Sequence, residues 1–273
     1  MSALPLCQLC ESTMSSLSQE EGRLLWQCPT CGMLQAEREE TTGPSVAFQQ
    51  REETQKLAES ILSRVGRILP KGMNQPRMLH IHCQLGQTLC VAKDRGWQAV
   101  GVDPRRKAVE LCRARGLDVF HAGAERLPFE SSTFQFVCAD HVIDRTENAG
   151  RALKEWKRVL RPGGLLFLSA KNCDAALQGE STDSTWLPGQ RYGFSMNNLT
   201  RLTERSGFES LPVSQTTEKG WGGLLHTLQG SLGIANRWTS QSSADADVEM
   251  LMKKPEATSQ SAGSHRRTSF RAA

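Results

Sequence analysis

Short apolar segments alternate with amphipathic ones between residues 77 and 170, and each kind has the periodicity of one type of secondary structure. Apolar runs bounded by turn residues predict strands, and apolar positions three and four apart predict helices. The alternation predicts a parallel sheet with helices on both faces. The predicted strands are 78–82, 98–103, 117–122, 134–139 and 165–170, and the predicted helices are 88–95, 105–115 and 148–160.

Further elements flank this region. Residues 57–69 place apolar side chains at helical spacing, and Pro70 ends that helix. Ser195 is a typical N-cap for another helix, and residues 208–213 and 248–252 have the composition of strands. The whole pattern predicts an α/β fold with a Rossmann-like sheet of seven strands.

Four cysteines near the N-terminus form two CxxC pairs. Cys7 and Cys10 make the first pair, and Cys28 and Cys31 make the second, with seventeen residues between the pairs. This spacing is typical of a zinc ribbon, in which four thiolates complete a tetrahedral Zn²⁺ site. Four thiolates leave no open position for a substrate, so the predicted role is structural. The alternative is four free thiols in an unfolded segment. A zinc ribbon is also a candidate surface for a protein partner.

These patterns divide the chain into four parts. We predict a zinc ribbon over residues 1–36, a polar linker at 37–44, a Rossmann-like domain over 45–255 and a disordered tail at 256–273. The other five cysteines fall inside predicted strands and helices, and we expect them to be small core residues.

Composition and charge narrow the range of partners. The 273 residues carry a formal net charge of +4 without a dominant basic block, so specific nucleic-acid binding is not indicated. There is no apolar run of about 18 residues that would predict a transmembrane segment. The N-terminus lacks the pattern of a secretory signal, and CxxC pairs fit a reducing compartment, so a cytoplasmic location is expected.

Two predicted strands end in residues suited to a nucleoside ligand. Ligands of doubly wound sheets bind at the carboxyl ends of the strands, near the point where the strand order reverses. The first strand runs into a loop that ends at Gly86, and the second ends at Asp103, followed by Pro104. A carboxylate in that position can accept hydrogen bonds from ribose hydroxyls. Its alternative role is to cap the helix that follows.

Five segments follow one another in a specific order. They are MLHIHCQLGQTLCVAKDRGWQAVGVDP, AERLPFESSTFQFVCADHVIDR, ALKEWKRVLRPGGLLFLSAKN, YGFSMNNLTRLTERSGFE and DVEMLMKKP. Together they resemble the class I S-adenosylmethionine-dependent methyltransferases, in particular the small-molecule group with a GxGxG loop. The resemblance covers most of residues 45–255, and some members of the family also carry an N-terminal zinc ribbon.

The resemblance implies roles for the matching positions. The loop at Gly86 would pass beneath the methionine part of S-adenosylmethionine, and Asp103, followed by Pro104, would hold the ribose. Ala124 and Glu125 would lie near the adenine.

The acceptor side of the site is also implied by the resemblance. Asp140 and His141 would border the sulfonium and the acceptor pocket. His141 is the candidate general base because imidazole titrates near neutral pH, and closing the pocket is its alternative role. Residues 221–238, rich in apolar and aromatic side chains, would cover the substrate or pack as a helix.

The chain departs from the family's pattern in several positions. His80 replaces an acidic residue, and His82 and Gln84 replace two glycines of the loop. Gly123 replaces the acid that contacts adenine, and Arg145 replaces a histidine farther along. Side chains at 82 and 84 enter space in which glycine lets the backbone approach a ligand. His80 and His82 share one face of the strand, but no third metal ligand is evident.

Three functions compete on this basis. The leading hypothesis is a methyltransferase that uses S-adenosylmethionine to modify a small molecule. The second is a catalytically inactive scaffold of the same shape that makes protein contacts with its zinc ribbon. The third, a nicotinamide-dependent Rossmann enzyme, is opposed by the missing GxGxxG and by the Pro162-Gly163-Gly164 segment.

Overall fold

The structure is a computed structural model, and it describes residues 4–20, 23–36, 51–173, 189–211 and 248–256. The predicted linker, the apolar segment 221–238 and nearly all of the predicted tail lie outside these residues. The limits of the predicted domains therefore stay a prediction.

An antiparallel sheet is formed by the N-terminal segment together with one distant strand. Its strands are β1 (Ser15–Glu20), β2 (Arg23–Gln27), β3 (Leu34–Ala36) and β9 (Tyr192–Gly193), which pair in that order. Leu34 lies opposite Gly193, and the Ala36 amide donates a hydrogen bond of 2.8 Å to the Arg191 carbonyl. Backbone hydrogen bonds therefore join the N-terminal segment to the rest of the chain.

The remaining elements alternate between strands and helices, as the periodicity predicts. The strands are β4 (Arg77–Ile81), β5 (Gln98–Asp103), β6 (Asp118–His121), β7 (Phe134–Ala139), β8 (Leu160–Ala170), β10 (Glu209–Ser210) and β11 (Val248–Lys253). The helices are α1 (Arg51–Ile68), α2 (Gln87–Asp94), α3 (Arg106–Ala114), α4 (Ala149–Val159) and α5 (Met196–Arg205), and a 3-10 turn spans Ile143–Arg145.

A second sheet, of seven strands, has the order β10-β11-β8-β7-β4-β5-β6. The five strands from β8 to β6 are parallel, whereas β11 is antiparallel to both β8 and β10. This arrangement confirms the predicted Rossmann-like sheet. The strand order reverses between β4 and β7, which places a crevice at the carboxyl ends of these two strands.

Alternate residues of β4 pack on opposite faces of the sheet. Leu79 joins a buried cluster that includes Trp156 of α4 and Met33 of the N-terminal segment. Met78 joins a second cluster that includes Leu62 of α1. Helices therefore cover both faces, as predicted, and the N-terminal segment shares one of the two cores.

The start of α5 has the capping chemistry that the sequence predicts. The Ser195 side chain accepts a hydrogen bond from the Asn198 amide, and the Asn198 side chain accepts one from the Ser195 amide, so α5 begins with a capping box. This confirms Ser195 as an N-cap.

Within the described ranges, none of the helices combines the length and the apolar composition that crossing a membrane requires.

Candidate functional site

The candidate site lies at the carboxyl ends of β4, β5 and β7, where the strand order reverses. The loop 82–86 follows β4, and Asp103 is the last residue of β5. Asp140 and His141 follow β7 directly. The fold therefore brings these predicted residues to the same edge of the sheet.

The loop after β4 keeps a left-handed backbone at three alternate positions. The φ angles are 53° at His82, 53° at Gln84 and 76° at Gly86. A left-handed conformation costs a residue with a side chain about 1–2 kcal/mol, whereas glycine adopts it freely. The loop thus has the backbone that glycines at all three positions would favour, although only one glycine is present.

Packing explains why the third position is a glycine. A Cβ on Gly86 would overlap Cδ1 of Leu117 and would lie 3.3 Å from Sγ of Cys112. Both of those side chains are buried. His82 is only half-buried and Gln84 is exposed, so both positions have room for a side chain.

Asp103 is fully buried, and four hydrogen bonds hold its carboxylate. The Gln84 amide donates to Oδ2 at 2.9 Å, and the Arg105 amide donates to Oδ1 at 3.0 Å. The Arg105 guanidinium donates from Nε to Oδ1 and from Nη2 to Oδ2, both at 2.9 Å. Burial acts to raise the pKa of Asp103, but the bonds from Arg105 and Gln84 outweigh it and lower the pKa. Pro104 is exposed beside this pair.

Arg105 is not among the site residues predicted from the sequence. Its pairing with Asp103 depends on side-chain geometry, which the sequence does not show. The alternative role predicted for Asp103, capping the following helix, is wrong, because α3 begins at Arg106 and Arg105 holds the N-cap position without a side-chain cap.

Two histidines lie near Asp103, of which His80 is buried and His82 is half-buried. Burial lowers the pKa of His80 to about 4, and the charges of Asp140 and Asp103 oppose that shift. Burial likewise lowers the pKa of His82 to about 4. The Nδ1 atom of His80 makes no hydrogen bond within the described part of the chain. Both rings are therefore neutral at pH 7.

Two residues implied to lie near adenine have structural partners. The Ala124 carbonyl accepts a hydrogen bond of 2.9 Å from Nε1 of Trp156. Glu125 Oε1 accepts one of 2.9 Å from the Asn148 amide, and its Oε2 lies 3.7 Å from Nη1 of Arg151. The Glu125 side chain is thus directed toward the start of α4, and contact with a cofactor stays a prediction.

A turn after β7 is fixed by Ser169 of β8. The Ser169 hydroxyl donates to Oδ1 of Asp140 and accepts a hydrogen bond of 3.0 Å from the His141 amide. His141 has a φ of 49°, which is uncommon for a residue other than glycine. Such backbone conformations recur at functional sites, where surrounding contacts hold them in place.

Asp144 is a second buried carboxylate, and the sequence pattern does not reveal it. It is buried, and within the described ranges neither carboxylate oxygen has a partner with good hydrogen-bond geometry. Burial raises its pKa, and the charges of His141 and Arg145 oppose this only in part. No periodicity marks Asp144, because it lies in an irregular turn.

The four N-terminal cysteines converge on one point. Their Sγ atoms all lie within 4.8 Å of one another, with 3.5 Å between Cys7 and Cys31 and 3.3 Å between Cys10 and Cys28. Zn–S bonds of about 2.3 Å in a tetrahedron place sulfurs about 3.8 Å apart, so the set is compatible with zinc. Burial disfavours the Cys10 thiolate, but hydrogen bonds with Ser12 and the neighbouring thiols outweigh it and lower the pKa of Cys10 to about 6.

The two CxxC turns share one backbone form. Glu11 and Gly32 each follow the second cysteine of a pair and have φ angles of 61° and 73°. Their amides donate hydrogen bonds of 2.9 Å to the carbonyls of Cys7 and Cys28. Gly32 thus closes the turn of the second pair in a conformation that glycine adopts freely.

Comparison with known proteins identifies relatives for the central part of the chain. A family model described as a methyltransferase domain matches residues 79–168. The chain is 29% identical over 101 residues to demethylmenaquinone methyltransferase of Chlorobaculum parvum. It is 40% identical over 71 residues to phthiotriol/phenolphthiotriol dimycocerosates methyltransferase 1 of Mycobacterium ulcerans. The matches cover 36% and 24% of this chain and 42% and 26% of the two relatives, so the chain spans less than half of either.

A solved structure shows the same fold. It is a chain from the complex between the Haloferax volcanii Trm112 methyltransferase activator and a methyltransferase, with a TM-score of 0.51 and 12% identity. The similarity covers 77% of this chain and 96% of that chain. The described residues have the Rossmann-like methyltransferase fold. This fold and the family match support S-adenosylmethionine-dependent methylation.

Proposed function

We propose that this chain is a class I methyltransferase that transfers a methyl group from S-adenosylmethionine to a small-molecule acceptor. The observation that carries the proposal is the loop 82–86, with its three left-handed positions, facing the ionised Asp103 at the end of the adjacent strand. Both lie within the segment that matches the methyltransferase family. The two relatives are named for small-molecule acceptors, which supports an acceptor of that class.

The residues on the cofactor side have separate proposed tasks. S-adenosylmethionine, when bound, supplies the methyl group from its sulfonium. Asp103 accepts hydrogen bonds from the ribose hydroxyls, and the loop at Gly86 supports the methionine part. Pro104 borders the ribose, and Ala124 and Glu125 border the adenine. The lowered pKa of Asp103 keeps this carboxylate ionised, and an ionised carboxylate accepts hydrogen bonds at both oxygens.

The residues on the acceptor side orient and deprotonate the acceptor in this proposal. His141 takes a proton from the acceptor at an imidazole nitrogen, and Ser169 fixes the backbone that carries this ring. Asp140, held by the same hydroxyl, places a negative charge beside the positive sulfonium.

A catalytically inactive scaffold is the second candidate, and it is favoured by a specific observation. The Arg105 guanidinium occupies both oxygens of Asp103, the carboxylate on which cofactor binding depends. The side chains of His82 and Gln84 also stand where the family has glycines. A scaffold would act through contacts of its zinc ribbon, but the relatives give no support for a protein partner.

Asp103→Ala is expected to weaken the binding of S-adenosylhomocysteine at least tenfold, because charge-assisted hydrogen bonds to the ribose are lost. Calorimetric titration of the purified wild type and variant measures the effect. Asp118→Ala, which removes an exposed carboxylate from β6, is the control and should bind like the wild type. A folded wild type that gives no heat at millimolar ligand supports the scaffold instead.

His82→Gly and Gln84→Gly are each expected to raise the affinity for S-adenosylhomocysteine, because glycine lets the backbone of this loop approach a ligand. The unfolding temperature should stay nearly unchanged. Relief of about 1–2 kcal/mol of backbone strain is offset by the greater freedom of glycine in the unfolded chain. The same titration tests this. Ser132→Gly is the matched control, since Ser132 also has a positive φ of 55° but lies outside the loop. Weaker binding by the glycine variants would show that the two side chains contribute to the site.

We further propose that the four cysteines hold one structural Zn²⁺. Elemental analysis is expected to find about one zinc per chain and a loss of zinc when Cys28 and Cys31 are replaced by serine. Chelation should lower the unfolding temperature, because the metal links segments of the N-terminal sheet. Cys90→Ser, a change outside the cluster, should retain the metal. A metal-free protein with an unchanged unfolding temperature would contradict this assignment.

A further inference from the structure

Arg105 and Asp103 form a closed pair at the place where the proposed function puts the ribose. Two N–H groups of the guanidinium each donate a 2.9 Å hydrogen bond to a different carboxylate oxygen. The backbone amides of Gln84 and Arg105 donate the other two bonds. A carboxylate has about four lone-pair positions, so all of them are in use. A ribose diol therefore has no acceptor position at Asp103 while this pair is closed.

The two partners differ in how firmly they are held. The Asp103 side chain is 0% exposed and is bonded to two backbone amides, whereas 42% of the Arg105 side chain is exposed. The guanidinium is thus on the solvent side of the carboxylate. It can leave without moving the backbone that holds Asp103.

We propose that Arg105 is a displaceable latch that determines the affinity of the cofactor site. This inference rests on the proposed function, because it concerns the same ribose-binding carboxylate. When the nucleoside binds, Arg105 withdraws and the two ribose hydroxyls replace Nε and Nη2 as donors to Oδ1 and Oδ2. The number of hydrogen bonds to the carboxylate is the same before and after, so the buried charge is never left without donors.

The exchange of Arg105 for the ribose hydroxyls has a cost, and replacing Arg105 should remove that cost. Binding must break a bidentate pair between two charged groups, and the ribose hydroxyls that replace the guanidinium carry no charge of their own. Without the guanidinium, Asp103 keeps its two backbone donors and has two positions open for the ribose. The free protein should then be less stable, because a buried carboxylate has lost half of its donors, while the ligand should bind more tightly.

The test is the binding of S-adenosylhomocysteine to the whole chain, with Arg105→Ala and Arg105→Met compared with the wild type. We expect about tenfold tighter binding for both variants, a lower unfolding temperature without ligand, and a larger rise in that temperature when ligand is added. Arg106→Ala, which removes the adjacent exposed arginine, should change none of these values. Arg105→Met keeps most of the aliphatic stem, so it serves if the alanine variant does not fold.

The remaining outcomes separate the latch from the proposed function. Equal or weaker binding by the Arg105 variants, with binding retained by the wild type, would overturn the latch and leave the proposed function standing. Tighter binding by Arg106→Ala as well would assign the effect to net charge and also overturn it. No binding by the wild type or by any variant at millimolar ligand would overturn both.

Discussion

The free energy of unfolding is expected to decrease steeply as the pH falls from 6.5 to about 4, because the folded chain holds His80 and His82 as neutral rings. Burial lowers the pKa of both side chains to about 4, against 6.5 for an ordinary histidine. Between these values the unfolded chain binds a proton at each ring that the folded chain excludes. The stability is therefore fully present above pH 6.5 and is lost as the pH falls through this window.

Each such ring contributes a slope of about 1.4 kcal/mol per pH unit, so His80 accounts for roughly 3 kcal/mol across the window. His82 is partly exposed and should contribute less. Urea unfolding at several pH values between neutral and acid measures the slope. Leucine and asparagine pack differently, but neither side chain titrates. Both His80→Leu and His80→Asn should therefore reduce the slope of the unfolding free energy against pH. Slopes that match the wild type in both variants would contradict a neutral buried ring.

Asp144→Asn is expected to raise the free energy of unfolding at pH 7.5 by about 1–3 kcal/mol. The carboxylate is buried, it has no well-formed hydrogen bond to the residues that the structure describes, and burial raises its pKa above 3.8. A raised pKa means that the folded chain keeps a proton that the unfolded chain releases. The contribution of this group to stability therefore falls as the pH rises above about 3.8, which is opposite to the effect of the histidines.

Asparagine has nearly the shape of aspartate without the charge, so it should remove this penalty at neutral pH. Urea unfolding of Asp144→Asn at pH 7.5 and at about pH 5 measures the gain, which should be smaller at the lower pH. Asp118→Asn removes an exposed carboxylate from β6 and should change the stability little. A loss of stability in Asp144→Asn would mean that the carboxylate has a polar partner in the folded chain.

The sheet could be predicted from the sequence because each central strand is a short apolar run that is visible without any long-range information. Residues 98–103 and 134–139 coincide with β5 and β7, since turn residues bound both apolar runs. β8 is the exception, for it begins at Leu160 rather than at 165. Its early part is paired by the backbone of Lys254 with Gly163 and Gly164, a long-range contact that local periodicity cannot contain.

The candidate site was less predictable, because its contacts depend on tertiary packing. The position of Asp103 at the end of a strand follows from the sequence, but the closed pair with Arg105 depends on side-chain geometry. The sequence shows that two loop glycines of the family are replaced, but it does not show that the backbone keeps its left-handed positions. The burial of Asp144 has no sequence signal, since a turn does not have a fixed inward face.

The central claim is that the crevice at Asp103 receives the nucleoside of S-adenosylmethionine. A crystal structure of the full chain with S-adenosylhomocysteine tests it most directly. The predicted result has both ribose hydroxyls within hydrogen-bond distance of the Asp103 carboxylate and the methionine part over the loop at Gly86. A crevice that stays closed at saturating ligand, or a ligand bound elsewhere on the chain, would contradict the claim.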